Sequence, residues 1–296
     1  MKDLPTPRSL VLVLLAAFAL AGCGGDKLDP RLQEGYDLVV AGKVDEAIAL
    51  ANAFLADDPG NAPARNLIGL ALYKAGDTQG AVEQFQQSLE MKPDYPEAHF
   101  NLGNAYRTLD RKDDAMREYE LAVEYQPKFV LANYNIGTLQ QEAGNTDAAL
   151  TAYRKCVDHD PQFFYAYLGM GDILYASGDF ENAISNLERA LELAPTQKEI
   201  RVLLGNAYLQ SGRPDAASQA EAEFRAALGV DPAYVDAVYN LGVSLHAQNR
   251  VDEAAVQFRH VLELVEGNAA RAGMTQQVNS FLQQYADSSA AAAQDG

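Results

Sequence analysis

Apolar and polar residues follow each other along most of this chain with a helical rhythm. From Pro96 to Pro127 the apolar positions Phe100, Leu102, Ala105 and Tyr106, then Ala115, Tyr119, Leu121 and Ala122, recur at helical spacings and not on alternate residues. The segment predicts two short amphipathic helices joined by a tight turn and closed by a proline. Helices this short cannot hide their apolar faces alone and need neighbours of the same kind. The chain supplies them. Glycine falls at 35, 69, 103, 137, 171, 205 and 242, alanine at 47, 81, 115, 149, 183, 220 and 254, and proline at 59, 93, 127, 161, 195 and 232. Every step is 34 residues, apart from one of 37 in each column. This predicts an all-α solenoid, whose core grows along a line because each unit contacts its neighbours.

Each column has a physical reason. A mid-helix glycine costs about 1 kcal/mol relative to alanine. Seven at one phase therefore imply a close approach of the paired helix, with alanines such as Ala81 facing Gly69. A second glycine closes the first helix in most units (Gly42, Gly76, Gly144, Gly178, Gly212), as a left-handed residue after a helix requires. Asp110 and Asn249 stand there in two others. Asp77, Asn145 and Asp179 occupy the place of an N-cap for the second helix.

The columns resemble the tetratricopeptide repeat. The resemblance covers residues 28–268 in seven units: 28–61, 62–95, 96–129, 130–163, 164–197, 198–234 and 235–268. It implies a right-handed superhelical solenoid of antiparallel helix pairs. The bulky aromatic that the family carries early in the first helix is replaced by Arg31, Arg65, His99, Asn133, Arg201 and Val238, with only Tyr167 aromatic, so looser packing is expected there. The second-helix aromatic is better kept, as Phe85, Tyr119, Tyr153, Phe224 and Phe258. Three extra residues between Gly212 and Ala220 either lengthen a turn or locally alter the superhelical path. Beyond the repeats, 269–285 predicts one capping helix with Met274, Val278, Phe281 and Leu282 at core spacing, and 286–296 a disordered tail.

The start of the chain is a targeting segment. Lys2 and Arg8 precede an unbroken apolar run, Leu10 to Leu20, which suits a signal-peptide core and is too short for the ~20 residues of a membrane span. Leu20-Ala21-Gly22-Cys23 resembles the lipobox of bacterial lipoproteins. That resemblance implies removal of 1–22, lipidation of Cys23 with a diacylglyceryl group and an amide-linked acyl chain, and stable membrane anchoring by several chains. Gly24 is not the aspartate that retains many such proteins at the inner membrane, so the resemblance implies the periplasmic face of an outer membrane. Residues 23–27 form a tether of roughly 15–18 Å when extended.

Charge narrows the partners. A formal charge of −18 speaks against nucleic acid, which needs clustered Lys and Arg, and against a face lying on an anionic bilayer. Two cysteines make no disulfide framework. Cys156 and His159 are spaced to share a metal, but Cys156 stands in a column of small residues (Ser88, Ala122, Ala190, Ala227) and reads as a small hydrophobe. His99, His246 and His260 lie in different units without a nucleophile or orienting acid at motif spacing. Neither catalytic residues, a metal nor a cofactor are expected.

In the resembled family the first helix of each unit lines a concave groove through its second, fifth or sixth, ninth and twelfth positions. Here these give, besides Tyr36, Asn66, Gln141 and His246, the candidates Tyr73, Phe100, Asn101, Asn104, Arg107, Tyr134, Asn135, Tyr165, Asp172, Tyr175, Asn206, Tyr239 and Asn240. Asparagine amides can both donate to and accept from the backbone of an extended peptide, and aromatic neighbours add contact area at low entropic cost. The alternative for each is solvation of a helix face or packing between repeats. A basic clamp for a carboxylate is not matched, so a neutral or basic, aromatic-containing segment is the expected partner. The reading is a lipid-anchored scaffold of the cell envelope that binds protein segments and assists a secretin, pilus or cell-wall assembly. Alternatives are a homo-oligomer whose groove is filled by its own chain, and an enzyme with an unrecognised site.

Overall fold

A computed structural model describes residues 29–294, with side chains through 287. The expected signal peptide at 1–22, the lipidated Cys23 and the tether at 23–27 lie outside the described residues. The described residues form fifteen α-helices and no strand, in two compact units that divide between His159 and Asp160. In the first unit, α1 (Pro30–Val40) pairs with α2 (Val44–Asp57), α3 (Ala62–Ala75) with α4 (Thr78–Met91), α5 (Pro96–Thr108) with α6 (Lys112–Tyr125), and α7 (Val130–Glu142) with α8 (Thr146–His159). In the second, α9 (Phe164–Ala176) pairs with α10 (Phe180–Leu193), α11 (Lys198–Gln210) with α12 (Ala216–Val230), and α13 (Val235–Ala247) with α14 (Val251–Leu264). A 3-10 turn (Ala269–Arg271) then leads into α15 (Ala272–Gln294), which packs on α14. The expected helical hairpins are all present, as an array of antiparallel pairs.

The terminal helix is longer than its apolar spacing required. It runs from Ala272 through Gln294. Extending an existing helix by alanines avoids the nucleation penalty, and alanine is the best helix former.

The hairpin turns behave as their residues dictate. The residue that closes the first helix has positive φ throughout, at 93° for Gly76 and also at the two non-glycines, 57° for Asp110 and 61° for Asn249. Asp77 caps α4 by accepting from the Gly80 amide at 2.9 Å, and Asp179 caps α10 through Asn182 at 3.4 Å. Asn145 instead donates its side-chain amide to Gln140 at 2.8 Å.

The glycine column meets a ring and not the alanine that faces it in the sequence. A Cβ placed on Gly69, Gly103, Gly137, Gly205 or Gly242 would lie 2.5–2.8 Å from the aromatic carbons of Phe85, Tyr119, Tyr153, Phe224 or Phe258. Each ring is buried, and the column alanines beside it are fully buried. The absent side chain thus leaves the space that one aromatic of the second helix fills in each of these hairpins.

The position expected to pack loosely is instead held by polar contacts. His99 is buried, its Nδ1 2.7 Å from Glu118 and its Nε2 2.9 Å from the Pro93 carbonyl, with the ring stacked on Tyr125. Asn133 donates to the Pro127 carbonyl at 3.4 Å. Arg201 donates to the Pro195 carbonyl at 2.9 Å and pairs with Glu223 at 2.8 Å. Where the family's aromatic is missing, these side chains satisfy the carbonyl of the proline that ends the preceding unit, a group that would otherwise be costly to bury.

The three-residue insertion lengthens the turn and the start of α12, which begins four residues after Gly212, whereas α4 begins two after Gly76. Next to it stands Glu221, in a column otherwise apolar (Ile48, Val82, Met116, Leu150, Ile184, Ala255). Its carboxylate is buried, and burial alone would raise its pKa. Gln248 at 2.6 Å, Arg250 at 2.7 Å and Arg225 outweigh that and hold it below the usual range. The ion pair ties α12 to the turn between α13 and α14.

Candidate peptide-binding faces

In the first unit, the candidate asparagines reach each other across adjacent first helices. Asn66 donates to the Tyr36 hydroxyl at 3.3 Å, and Asn101 donates to Asn66 Oδ1 at 2.9 Å. One hairpin further on, Asn104 Oδ1 accepts both from Asn135 at 2.9 Å and from the Tyr119 hydroxyl at 2.8 Å. All four asparagines are buried. The Asn104 Nδ2 is buried without a hydrogen-bond partner among the described residues. Burial pushes the Tyr119 hydroxyl well above its ordinary pKa, so it remains a donor.

The other first-unit candidates are also engaged. Tyr73 shares a hydrogen bond with Thr108 at 2.6 Å, and Phe100 packs 5.0 Å from Phe129 and 5.9 Å from Tyr119, ring to ring. Tyr134 lies 5.7 Å from Tyr153. Arg107 donates to Thr138 at 3.1 Å and pairs with Glu142 at 2.7 Å, a carboxylate it shares with Lys112 at 2.8 Å. Burial acts to raise the Glu142 pKa, but the two cations hold it low. Arg107 therefore bridges two repeats and presents a neutralised charge.

The second unit differs. Its candidates Tyr165, Asp172, Tyr175, Asn206, Tyr239 and Asn240 are all half-buried. Tyr165 packs on Phe164 with ring centroids 3.9 Å apart, and Tyr175 meets the edge of Phe180 at 5.7 Å. Asn206 and Asn240 stand at the same two register positions as Asn104 and Asn135, and both are half-buried. The last repeat is partly covered by the chain itself. Tyr239 donates to Gln277 at 2.9 Å, His246 meets the Phe281 ring at 5.0 Å, and Arg271 pairs with Asp236. Sequence reasoning placed Phe281 in a core and left out Gln277 and Arg271; only the spacing of the terminal helix hinted at their role.

Cys156 is fully buried, with its sulfur 3.4 Å from the Val130 carbonyl and 3.3 Å from that of Ala152. Among the described residues no group of His, Cys, Asp and Glu is arranged to hold a metal, and no helix is long and apolar enough to cross a membrane.

Three family models match the chain. One, for the cytochrome c-type biogenesis protein H TPR domain, covers residues 145–272; a TPR repeat model covers 69–110; and a tetratricopeptide repeat model covers 96–129. Human tetratricopeptide repeat protein 6 is 35% identical over 65 residues, 22% of this chain and 12% of the human protein. Among solved structures, the C-terminal part of a TPR repeat-containing protein from Cytophaga hutchinsonii aligns with a TM-score of 0.64 at 15% identity, over 82% of this chain and 98% of that one. YrrB, described as a TPR protein with an unusual peptide-binding site, aligns with a TM-score of 0.57 at 20% identity, over 66% and 99%. MamA aligns with a TM-score of 0.53 at 23% identity, over 59% and 94%. These structural likenesses bear on the fold alone. With the 34-residue columns, the stacked hairpins and all three family models in agreement, the chain is a tetratricopeptide repeat protein.

Proposed function

We propose that this protein is a lipid-anchored scaffold that holds a segment of a partner protein on the first-helix face of its second unit, in the service of assembling a cell-envelope complex. The observation that carries the reading is the pair Asn206 and Asn240. In the first unit the same register positions bond to each other and are buried; here both side chains are half-exposed and can meet a peptide backbone. The half-buried tyrosines Tyr165 and Tyr175 supply apolar contact beside them. Asn101, Asn104, Arg107 and Asn135 act mainly to lock adjacent repeats, with Tyr73, Phe100 and Tyr134 packed around them. Tyr239 belongs to the contact with the terminal helix. No cofactor is needed for this role, and a net charge of −18 disfavours nucleic acid.

The match of residues 145–272 to the TPR domain of a cytochrome c-type biogenesis protein supports biogenesis of an envelope protein as the setting. It favours that pathway over secretin, pilus or cell-wall assembly. YrrB, titled as a peptide-binding TPR protein, supports the mode of binding.

The test compares two double variants in pull-downs from envelope extract, quantified for each co-purifying protein. Asn206→Ala with Asn240→Ala should lose the partner while leaving thermal stability nearly unchanged. Asn101→Ala with Asn135→Ala should instead lower stability, at about 1 kcal/mol for each hydrogen bond removed. An unchanged partner set in the first double variant would overturn the reading. For the anchor, Cys23→Ala is expected to move the protein from the membrane to the soluble fraction; retention at the membrane would refute lipidation at that residue.

A further inference from the structure

The first-helix face of the second unit carries a charge pattern that selects its occupant. Among the described first helices α9, α11 and α13, the only Lys and Arg side chains are Lys198 and Arg201. Both are engaged: Lys198 pairs with Asp231 at 2.5 Å and lies over the Tyr234 ring, and Arg201 pairs with Glu223. The face therefore carries carboxylates beside cations that are paired with carboxylates of other helices.

The chain shows how such a carboxylate is read. Asp236, at the second position of the last repeat, is bound by the guanidinium of Arg271, which donates to both carboxylate oxygens. Arg271 comes from the segment that follows the last repeat and packs against it. Glu199 holds the same second position one repeat earlier. The residue that register places opposite it, where Arg271 stands opposite Asp236, is Ala237, a small and fully buried side chain. Glu199 is half-buried. It sits in the first turn of α11, where the helix dipole keeps a carboxylate ionised. Asn206 follows it by two helical turns on the same face, and Asn240 stands on the adjacent first helix.

We propose that the second unit takes a basic peptide segment, with an arginine or lysine on the Glu199 carboxylate and the segment's backbone against Asn206 and Asn240. This rests on the binding face proposed above and adds the chemistry of the partner. An acidic segment would meet like charge at Glu199 with no cation to relieve it.

The experiment uses the full chain in detergent micelles and short degenerate peptide pools of matched Leu, Tyr and Ala content. The pools carry a fixed central Arg pair, Gln pair or Glu pair, and binding is read by fluorescence anisotropy. The arginine pool should bind about fivefold more tightly than the glutamine pool, and the glutamate pool most weakly. The preference should shrink as salt rises from about 50 to about 500 mM. Glu199→Gln should remove the difference between the arginine and glutamine pools. Equal binding of those two pools to the wild type, or a preference that survives Glu199→Gln, overturns the inference. If all pools bind alike and all lose affinity in the Asn206→Ala, Asn240→Ala protein, only the basic preference falls and the binding face stands. If no pool binds, both fall.

Discussion

Replacing Gly103 with alanine is expected to destabilise the first unit, although alanine is the better helix former. The added methyl would lie 2.6 Å from Tyr119 Cε1, 2.8 Å from its Cδ1 and 3.2 Å from the Ala115 carbonyl. The ring cannot swing away: it is fully buried and its hydroxyl is held by Asn104. Overpacking of this kind costs about 1–3 kcal/mol, against a propensity gain of about 1 kcal/mol, so the net sign is a loss. Gly229→Ala is the control. Nothing lies within 4 Å of a methyl at that helical site, and the substitution should raise stability by up to about 1 kcal/mol. Opposite shifts in the denaturation midpoint would establish the point. A double-mutant cycle sharpens it: once Tyr119→Ala has removed the ring, Gly103→Ala should no longer destabilise. Additive effects would show that the ring does not set the glycine column.

The second large effect is expected at His99. Burial by itself would lower its pKa, but hydrogen bonds to the Glu118 carboxylate and the Pro93 carbonyl, with the charge of Glu118, raise it on balance. Both ring nitrogens face acceptors, so the imidazolium satisfies the site fully and the neutral ring satisfies it only in part. The folded state thus binds the proton more tightly than the unfolded chain, whose pKa is about 6.5. Below about pH 6.5 the stabilisation is complete. It declines as pH rises above that value and through the raised folded pKa, because there the native state holds more protons than the unfolded one. His99→Ala should cost about 2–3 kcal/mol near pH 6, from lost charged hydrogen bonds and lost packing. His99→Asn imports the solution used by Asn133, keeping a donor to the proline carbonyl without a titrating group. Its stability should vary less with pH between about 6 and 8 than that of the wild type. Parallel pH profiles for wild type and His99→Asn would reject the assignment.

Much of this protein is written in short-range pattern. The 34-residue columns determine the hairpins, their turns and their count, because helical periodicity, a left-handed residue and a terminating proline act within a few residues of one another. The left-handed turn at Asp110 could be read before any coordinates, since that residue stands where other units place glycine.

What the tertiary structure alone decided concerns residues some thirty positions apart in the chain. Asn104 with Asn135, and Asn206 with Asn240, are the same letters at the same register, yet the first pair is buried and bonded and the second half-exposed. A hydrogen bond exists or not over a few tenths of an ångström, a margin set by how neighbouring helices pack and invisible to a column of residue types. The same holds for Tyr239, which the terminal helix engages through Gln277, and for Arg107, which Glu142 neutralises. Composition and period determine that such a face exists. Packing determines which of its polar groups are left for a partner.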